Sequence, residues 1–421
     1  MFFKRNPVLK NNVEEVIQKG LCTGCGTCEG ICPQNAIKMI INQSEGIYLP
    51  QLNQAQCDNC GICLNICPGK QVNFSQLNLH LFNKDANDTL LGNYIDCFVG
   101  HANDYEIRYN SASGGLVTAL LIFALEEGII DGVLVTKMSE SSPLEPYPFI
   151  ARTREEIISA VCSKYCPVAA NIALKEVIKS DGQYAVVGLP CHIHGIRKAL
   201  MKNKKLSQKI VLTIGLFCSH ADTFHGTKFV LSKLKININD LKELKYRGNG
   251  WPGKMQIKLK NGHEYEYEYY MNILHAYNFF TLKRCFLCCD LTSEMADISC
   301  GDAWLSEYKF DNVGKSMIIV RTKQGNDLII KALSKGIIEL NSISREKVIE
   351  AQGITFKKVF SKKKALINTG AKLLQPNTRD YLRNIDQFMA QLLGKTSNML
   401  LLKTYVWIIA TIGKFLTKIK L

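Results

Sequence analysis

The feature that most limits how this chain can fold is a pair of matching cysteine runs near its start. Cys22, Cys25, Cys28 and Cys32-Pro33 follow the pattern C-x2-C-x2-C-x3-C-P, and Cys57, Cys60, Cys63 and Cys67-Pro68 repeat it without deviation. Two-residue gaps let a short loop wrap three thiolates around one face of an iron-sulfur cubane, while the fourth Cys, before Pro, ligates the other cluster. The expected sets are therefore Cys22, Cys25, Cys28 and Cys67 for cluster one, and Cys57, Cys60, Cys63 and Cys32 for cluster two. Gly24, Gly26 and Gly61 keep the loops tight. The alternative, two structural zinc sites, prefers paired C-x2-C units with a longer stretch between them. Met1 to Asn12 has no apolar stretch long enough for a secretory signal, so a reducing, cytoplasmic interior is expected, not a disulfide scaffold.

At 421 residues the chain has room for two or three domains. Hydrophobic residues at 47% and charged residues at 21% exclude a disordered, collagen-like or polytopic membrane protein. The net charge of +15 is uneven: Ala351 to Leu421 holds 13 Lys or Arg against Asp380 and Asp386. The remainder is nearly balanced, so no nucleic-acid-binding surface is expected. In the tail, Thr404–Gly413 is the longest uncharged run at ten residues, too short to span a bilayer. Residues 398–421 read as an amphipathic helix with Lys403, Lys414 and Lys418 on one side. It is expected to make a peripheral membrane or partner contact, or to pack on its own domain.

The expected domains are 1–79, the two-cluster α+β segment; 80–175 and 176–345, two parts of an α/β body; and 346–421, the basic tail. In the body, Gly115–Leu125 reads as an apolar helix, and Gly132–Thr136, Tyr184–Val187 and Ile210–Leu216 as strands, with a loop over Ser139–Pro148. Two period-two runs flank Asn261-Gly262 within Met255–Tyr270, predicting an added β-hairpin.

Nine cysteines lie outside the two runs. Cys191 and Cys218 stand at carboxyl ends of predicted strands, where open α/β sheets place ligands. With Cys285 and Cys288 they make either a third cluster site or a set of inert buried thiols. Ser111, Ser113, Gly114 and Gly115, with Thr118 one turn on, suit either an anion at a helix start or an ordinary N-cap.

The order Ser111-Ala-Ser-Gly-Gly, Ser163-Lys-Tyr, Gly188-Leu-Pro-Cys191, Gly215-Leu-Phe-Cys218, Cys285-x2-Cys288, Ala296-Asp-Ile and Gly301-Asp302 resembles the coenzyme F420 hydrogenase/dehydrogenase beta-subunit family. The cysteine-rich segment resembles a bacterial two-cluster ferredoxin. Cys162 and Cys289 depart from the family pattern, where Gly and Pro are expected, and leave Cys289 or Cys300 open as substitute ligands. The resemblance implies a bound FAD, a third 4Fe-4S cluster and hydride exchange with an organic acceptor, such as coenzyme F420 as substrate. It also implies a ferredoxin or similar redox protein as electron partner.

On that reading Ser111, Ser113, Gly114, Gly115 and Thr118 receive the FAD pyrophosphate, Ser163, Lys164 and Tyr165 surround its polar parts, and Asp302 binds a flavin or ribose hydroxyl. Lys164, His192 and Arg247 are the candidate catalytic residues: Lys164 to stabilise an anion, His192 to relay a proton, Arg247 with Trp251 as substrate wall. Clusters pass single electrons and hydride acceptors take two, and a flavin converts between them. The alternatives are a reductase of a sugar, lipid-linked or tetrapyrrole substrate, an electron-transfer subunit without catalysis of its own, and a redox sensor. Cys25→Ser is expected to remove one cluster, about four irons per chain, while flavin stays bound; iron and flavin quantitation checks this, and an unchanged iron count contradicts the assignment.

Overall fold

The computed structural model describes residues 11–268 and 280–355. The tail helix expected over 398–421 lies outside the described residues, as does everything from 356 onward. In the cysteine-rich segment both runs fold alike. Each turns at a glycine of positive φ, Gly26 at 80° and Gly61 at 73°, where a side chain would be strained. Each then enters one helical turn, Thr27–Gly30 or Ile62–Asn65. Between the runs lies an antiparallel hairpin of β1 (Ile37–Asn42) and β2 (Ile47–Leu52), with Ile37 opposite Leu52. A helix over Phe74–Phe82 follows, capped by the Asn73 side chain, which accepts the Gln76 N–H at 3.0 Å.

The body is an eight-stranded mixed sheet. Its strands are β3 (Asp96–Ala102), β4 (Gly132–Met138), β5 (Pro146–Ala151), β6 (Tyr184–Gly188) and β7 (Ile210–Leu216). A separate three-stranded antiparallel sheet is formed by β8 (Leu241–Lys245), β9 (Lys254–Leu259) and β10 (Glu264–Glu268). The main sheet is completed by β11 (Ile298–Asp302), β12 (Ser316–Val320) and β13 (Ile338–Ser342), in the order β13-β3-β12-β11-β7-β6-β4-β5. β4, β6, β7 and β11 run parallel, so their carboxyl ends share one rim.

Period-two alternation divides these strands between two cores. Val133 and Val135 of β4 face one side with Ala185, Leu212 and Ile318, while Leu134, Tyr184 and Val186 face the other. Helices cover both faces, which is why the central strands are apolar throughout. The helix Leu116–Glu126 buries eight residues, from Leu116 to Ala124, and is accordingly apolar nearly all round. Two sequence expectations shift. The loop over Ser139–Pro148 is cut short because β5 begins at Pro146. The hairpin at Asn261-Gly262 forms, but as two strands of three, because β8 buries only Leu241 and Leu244 and its charges conceal the pattern.

Arg321, 2% exposed, ties the end of β12 to its surroundings. All five of its N–H donors are used, on Leu91 O, Asn93 O, Thr292 O, Thr292 Oγ1 and Ser299 Oγ. Among the described residues no helix is long and apolar enough to cross a membrane. Arg321→Met strands five buried acceptors and is expected to cost about 3 kcal/mol or more of stability. The measurement is the urea midpoint, and a variant within about 0.5 kcal/mol of the parent contradicts this account.

Candidate functional site

The eight N-terminal thiols gather into two hollows. One is lined by Cys22, Cys25, Cys28 and Cys67 with Met39 and Pro50. The other is lined by Cys32, Cys57, Cys60 and Cys63 with Asn11 and Gly61. Each hollow takes three cysteines from one run and the last from the other. Burial pushes the Cys22 and Cys28 thiols well up, with the neighbouring thiols adding to it. Cys63 is raised to about 11, chiefly by burial, whereas Cys60 is exposed. Four thiolates so packed need a positive centre to be anionic at all. Backbone N–H groups point at sulfur: Gly24 to Cys22 Sγ and Ala36 to Cys32 Sγ, both at 3.4 Å. Four cysteines per hollow, three from a C-x2-C-x2-C run and one from the other run, are a donor set that suits a multi-iron cluster.

A third gathering of thiols lies at the sheet's carboxyl rim. Cys191 opens the helix Pro190–Leu200 after β6, Cys218 follows β7, Cys285 lies within a 3-10 turn over Lys283–Leu287, and Cys288 directly follows that turn. Because β6 and β7 are adjacent, Cys191 and Cys218 emerge side by side, and all four thiols line one hollow. Cys191 is pushed well up by burial first and then by the thiols of Cys25, Cys218, Cys285 and Cys288. Cys289 also borders the hollow but packs into the apolar cluster of Val72, Phe74 and Ile193, and Cys300 borders a different cavity.

Cys25 belongs to the first hollow, so the first and third sites abut. Asn171, fully buried, clamps them together. Its backbone N–H donates to Cys25 O at 3.0 Å, and its side-chain amide donates to Thr27 Oγ1 at 2.8 Å and His192 O at 3.0 Å.

Beyond the third site, over the carboxyl ends of β4, β6, β7 and β11, is a cavity of about 440 Å³. That is the scale of a cofactor pocket. It shares Cys166, Leu189, His192, Cys218 and His220 with the third hollow as a common wall. Ser111, Ser113, Gly115, Thr118, Ser163, Lys164, Tyr165 and Asp302 all line it. Gly115 has a φ of 76° and no side chain caps the helix start, so first-turn amides stay available to an anion.

Other expectations are met differently. Gly114 does not line the cavity, and its N–H donates to Ser316 Oγ. Arg247 is 1% exposed and off the cavity wall: it forms a two-pronged pair with Asp302, donates to Pro252 O and Tyr165 Oη, and lies against the Trp304 ring. Trp251 also lies off the wall, donating to Asp302 Oδ1 at 2.8 Å. These two hold Asp302 and do not form the wall expected from the sequence.

His192 has both ring nitrogens in backbone bonds. Nδ1 accepts from Leu189 N–H, which leaves the Nε2 hydrogen to donate to Val168 O, and burial pushes its pKa down to about 4. It is a neutral brace between the two cavities, with no proton to relay. Lys164 gives its three donors to Ala160 O, Val161 O and Cys162 O beyond the helix Arg154–Ser159, and burial lowers it to about 8.

Residues that sequence reasoning missed also border the cavity, among them Phe217, Asp222, Tyr246, Trp304 and Gln352. Burial raises the Asp222 carboxyl to about 6, with the Thr281 hydroxyl opposing it. Phe217 sits inside the Gly215-Leu-Phe-Cys218 motif, but the other four carry no motif signal, and Gln352 reaches the rim from the end of the helix Arg345–Gln352.

Residues 97–175 match the N-terminal part, and residues 181–346 the C-terminal part, of the family described as coenzyme F420 hydrogenase/dehydrogenase, beta subunit. Residues 21–71 match a 4Fe-4S dicluster domain. The coenzyme F420 hydrogenase subunit beta of Methanosarcina barkeri is 31% identical over 274 residues, 62% of this chain and 86% of that one. The coenzyme F420-dependent sulfite reductase of Methanocaldococcus jannaschii is 26% identical over 330 residues, 75% of this chain and 46% of that protein. A chain of the xenon-derivatised F420-reducing NiFe hydrogenase complex from Methanosarcina barkeri superposes with a TM-score of 0.53 at 27% identity, covering 66% of this chain and 92% of that one. On these matches, the chain belongs to the coenzyme F420 hydrogenase/dehydrogenase beta-subunit family of oxidoreductases and carries a 4Fe-4S dicluster domain ahead of the family's own fold.

Proposed function

We propose that the chain carries single electrons from a ferredoxin-type protein through three clusters to a flavin, where an organic acceptor of the coenzyme F420 type is reduced. The observation that carries this reading is the continuity of the sites. The outer hollow at exposed Cys60, the inner hollow at Cys25, the third hollow at Cys191 and the large cavity follow one another: the Cys63 thiol of the outer hollow acts on Cys28 of the inner one, Cys25 acts on Cys191, and the third hollow shares a wall with the large cavity. Cluster one is assigned to Cys22, Cys25, Cys28 and Cys67, cluster two to Cys32, Cys57, Cys60 and Cys63, and cluster three to Cys191, Cys218, Cys285 and Cys288.

FAD, when bound, supplies the exchange between single electrons and hydride. The chain's own residues do the rest. The amides from Gly115 to Thr118 receive the pyrophosphate, with Ser111, Ser113 and Ser163 beside it. Arg247 and Trp251 hold the Asp302 carboxylate at the cavity's edge, where it meets a hydroxyl. Lys164 fixes the loop that carries Ser163 and Tyr165 by gripping three carbonyls. Asp222, whose carboxyl burial raises to about 6 and which faces His220 Nε2 at 3.6 Å, can take up and pass on a proton beside the acceptor. Two electrons from two carriers, with two protons from water, reduce one acceptor molecule.

The names of the relatives support this reading, since hydrogenase and sulfite reductase chains named for coenzyme F420 are similar to it in sequence. They also support assembly with other subunits, because several bear the name of a beta subunit. Protein purified without oxygen is expected to hold about twelve irons per chain, stoichiometric FAD, and activity for reducing coenzyme F420 from reduced ferredoxin. Iron without flavin would reduce the chain to an electron-transfer subunit. Asp222→Asn is expected to lower turnover by about a hundredfold or more with FAD still bound; undiminished turnover removes Asp222 from the proton path.

A further inference from the structure

Some cations of the body meet carboxylates, Arg197 with Asp297 and Arg247 with Asp302, while Lys164 and Arg321 are held by carbonyls and hydroxyls away from the inner thiols. Two further cations without a carboxylate partner lie beside the inner thiols. Lys198 donates to Cys67 O at 2.9 Å and Gln71 O at 2.7 Å, and Arg284, 7% exposed, donates to Gly69 O and Pro68 O, both at 3.4 Å. Among the described residues neither forms an ion pair with a carboxylate. The charged or ionisable groups acting on Lys198 are, in order, the Cys67 thiol, the cation Lys70 and the Cys25 thiol. Arg284 borders the third hollow, one residue before Cys285. A cation withdrawn from water without an anion is costly. A cubane held by four thiolates is an anion, and its charge becomes more negative on reduction.

The outer thiols have the opposite surroundings. Cys60 is exposed, and its N–H donates to the Asp58 carboxylate at 3.1 Å. Burial alone would make the inner clusters harder to reduce than the outer one, since a low-dielectric site disfavours the added charge. Electrons arriving from outside would then stall at the surface.

We infer that Lys198 and Arg284 are the counter-charges of the two inner clusters, placed to raise their reduction potentials so that electrons entering at the exposed cluster run inward to the cavity. Each transfer is one electron: the donor cluster is oxidised as the next is reduced, and a reduced ferredoxin-type protein supplies the first. The inference rests on the three-cluster reading above and adds the residues that would set the direction of flow within it.

The test is potentiometric titration followed by electron paramagnetic resonance, on the full chain purified without oxygen and checked for iron. Lys198→Gln and Arg284→Gln keep hydrogen-bond donors and remove the charge. Each is expected to shift one midpoint to more negative potential, cluster one for Lys198 and cluster three for Arg284, while cluster two stays in place. Lys198→Arg is expected to keep the parental midpoints. Each Gln variant is a separate test. Unmoved midpoints in a variant with full iron overturn the inference, whereas a parent protein showing only two cluster signals overturns the three-cluster reading beneath it.

Discussion

The arrangement depends on a close approach between the cysteine-rich segment and the helix Pro190–Leu200. At Gly195 an added Cβ would lie 2.2 Å from Thr27 Oγ1, and at Gly30 it would lie 2.0 Å from Asn171 O, so neither position accepts a side chain. Without that contact Cys25 and Cys191 separate, and the first hollow no longer touches the third. Asn171 adds direction to the contact by bonding both partners at once. On the proposed three-cluster reading, packing at two glycines and one amide would set the distance over which electrons pass between the first and third sites.

The surroundings of the large cavity show how polar residues can serve geometry instead of chemistry. His192, Lys164 and Arg247 have reactive side chains, yet their donors and acceptors are saturated by carbonyls, one backbone N–H, a tyrosine hydroxyl and a carboxylate. Saturation of this kind rigidifies a site. It leaves Asp222, with its raised carboxyl, as the less constrained acid at the cavity.

Much of this was legible in the residues. The spacing of the first eight cysteines foretold two mixed sets because thiolate geometry around a cubane admits few alternatives, and the same eight thiols gather in those sets. The strands at Tyr184 and Ile210 were readable from apolar runs, and their adjacency brings Cys191 beside Cys218. β8 was hidden because five residues with three charges carry no period. Asp222 and Asn171 were hidden for another reason: each matters through a partner far away in sequence, and no local pattern records a tertiary neighbour. Arg247 drew notice as a cation near Trp251, and only the fold reveals that Asp302 already holds it.

The central claim is that three thiol sets carry iron in a row ending at the large cavity. Diffraction from crystals grown without oxygen, measured on both sides of the iron absorption edge, tests it directly. The account predicts three groups of anomalous density: one among Cys22, Cys25, Cys28 and Cys67, one among Cys32, Cys57, Cys60 and Cys63, and one among Cys191, Cys218, Cys285 and Cys288. An empty third position, or density that responds at the zinc edge instead, would contradict it.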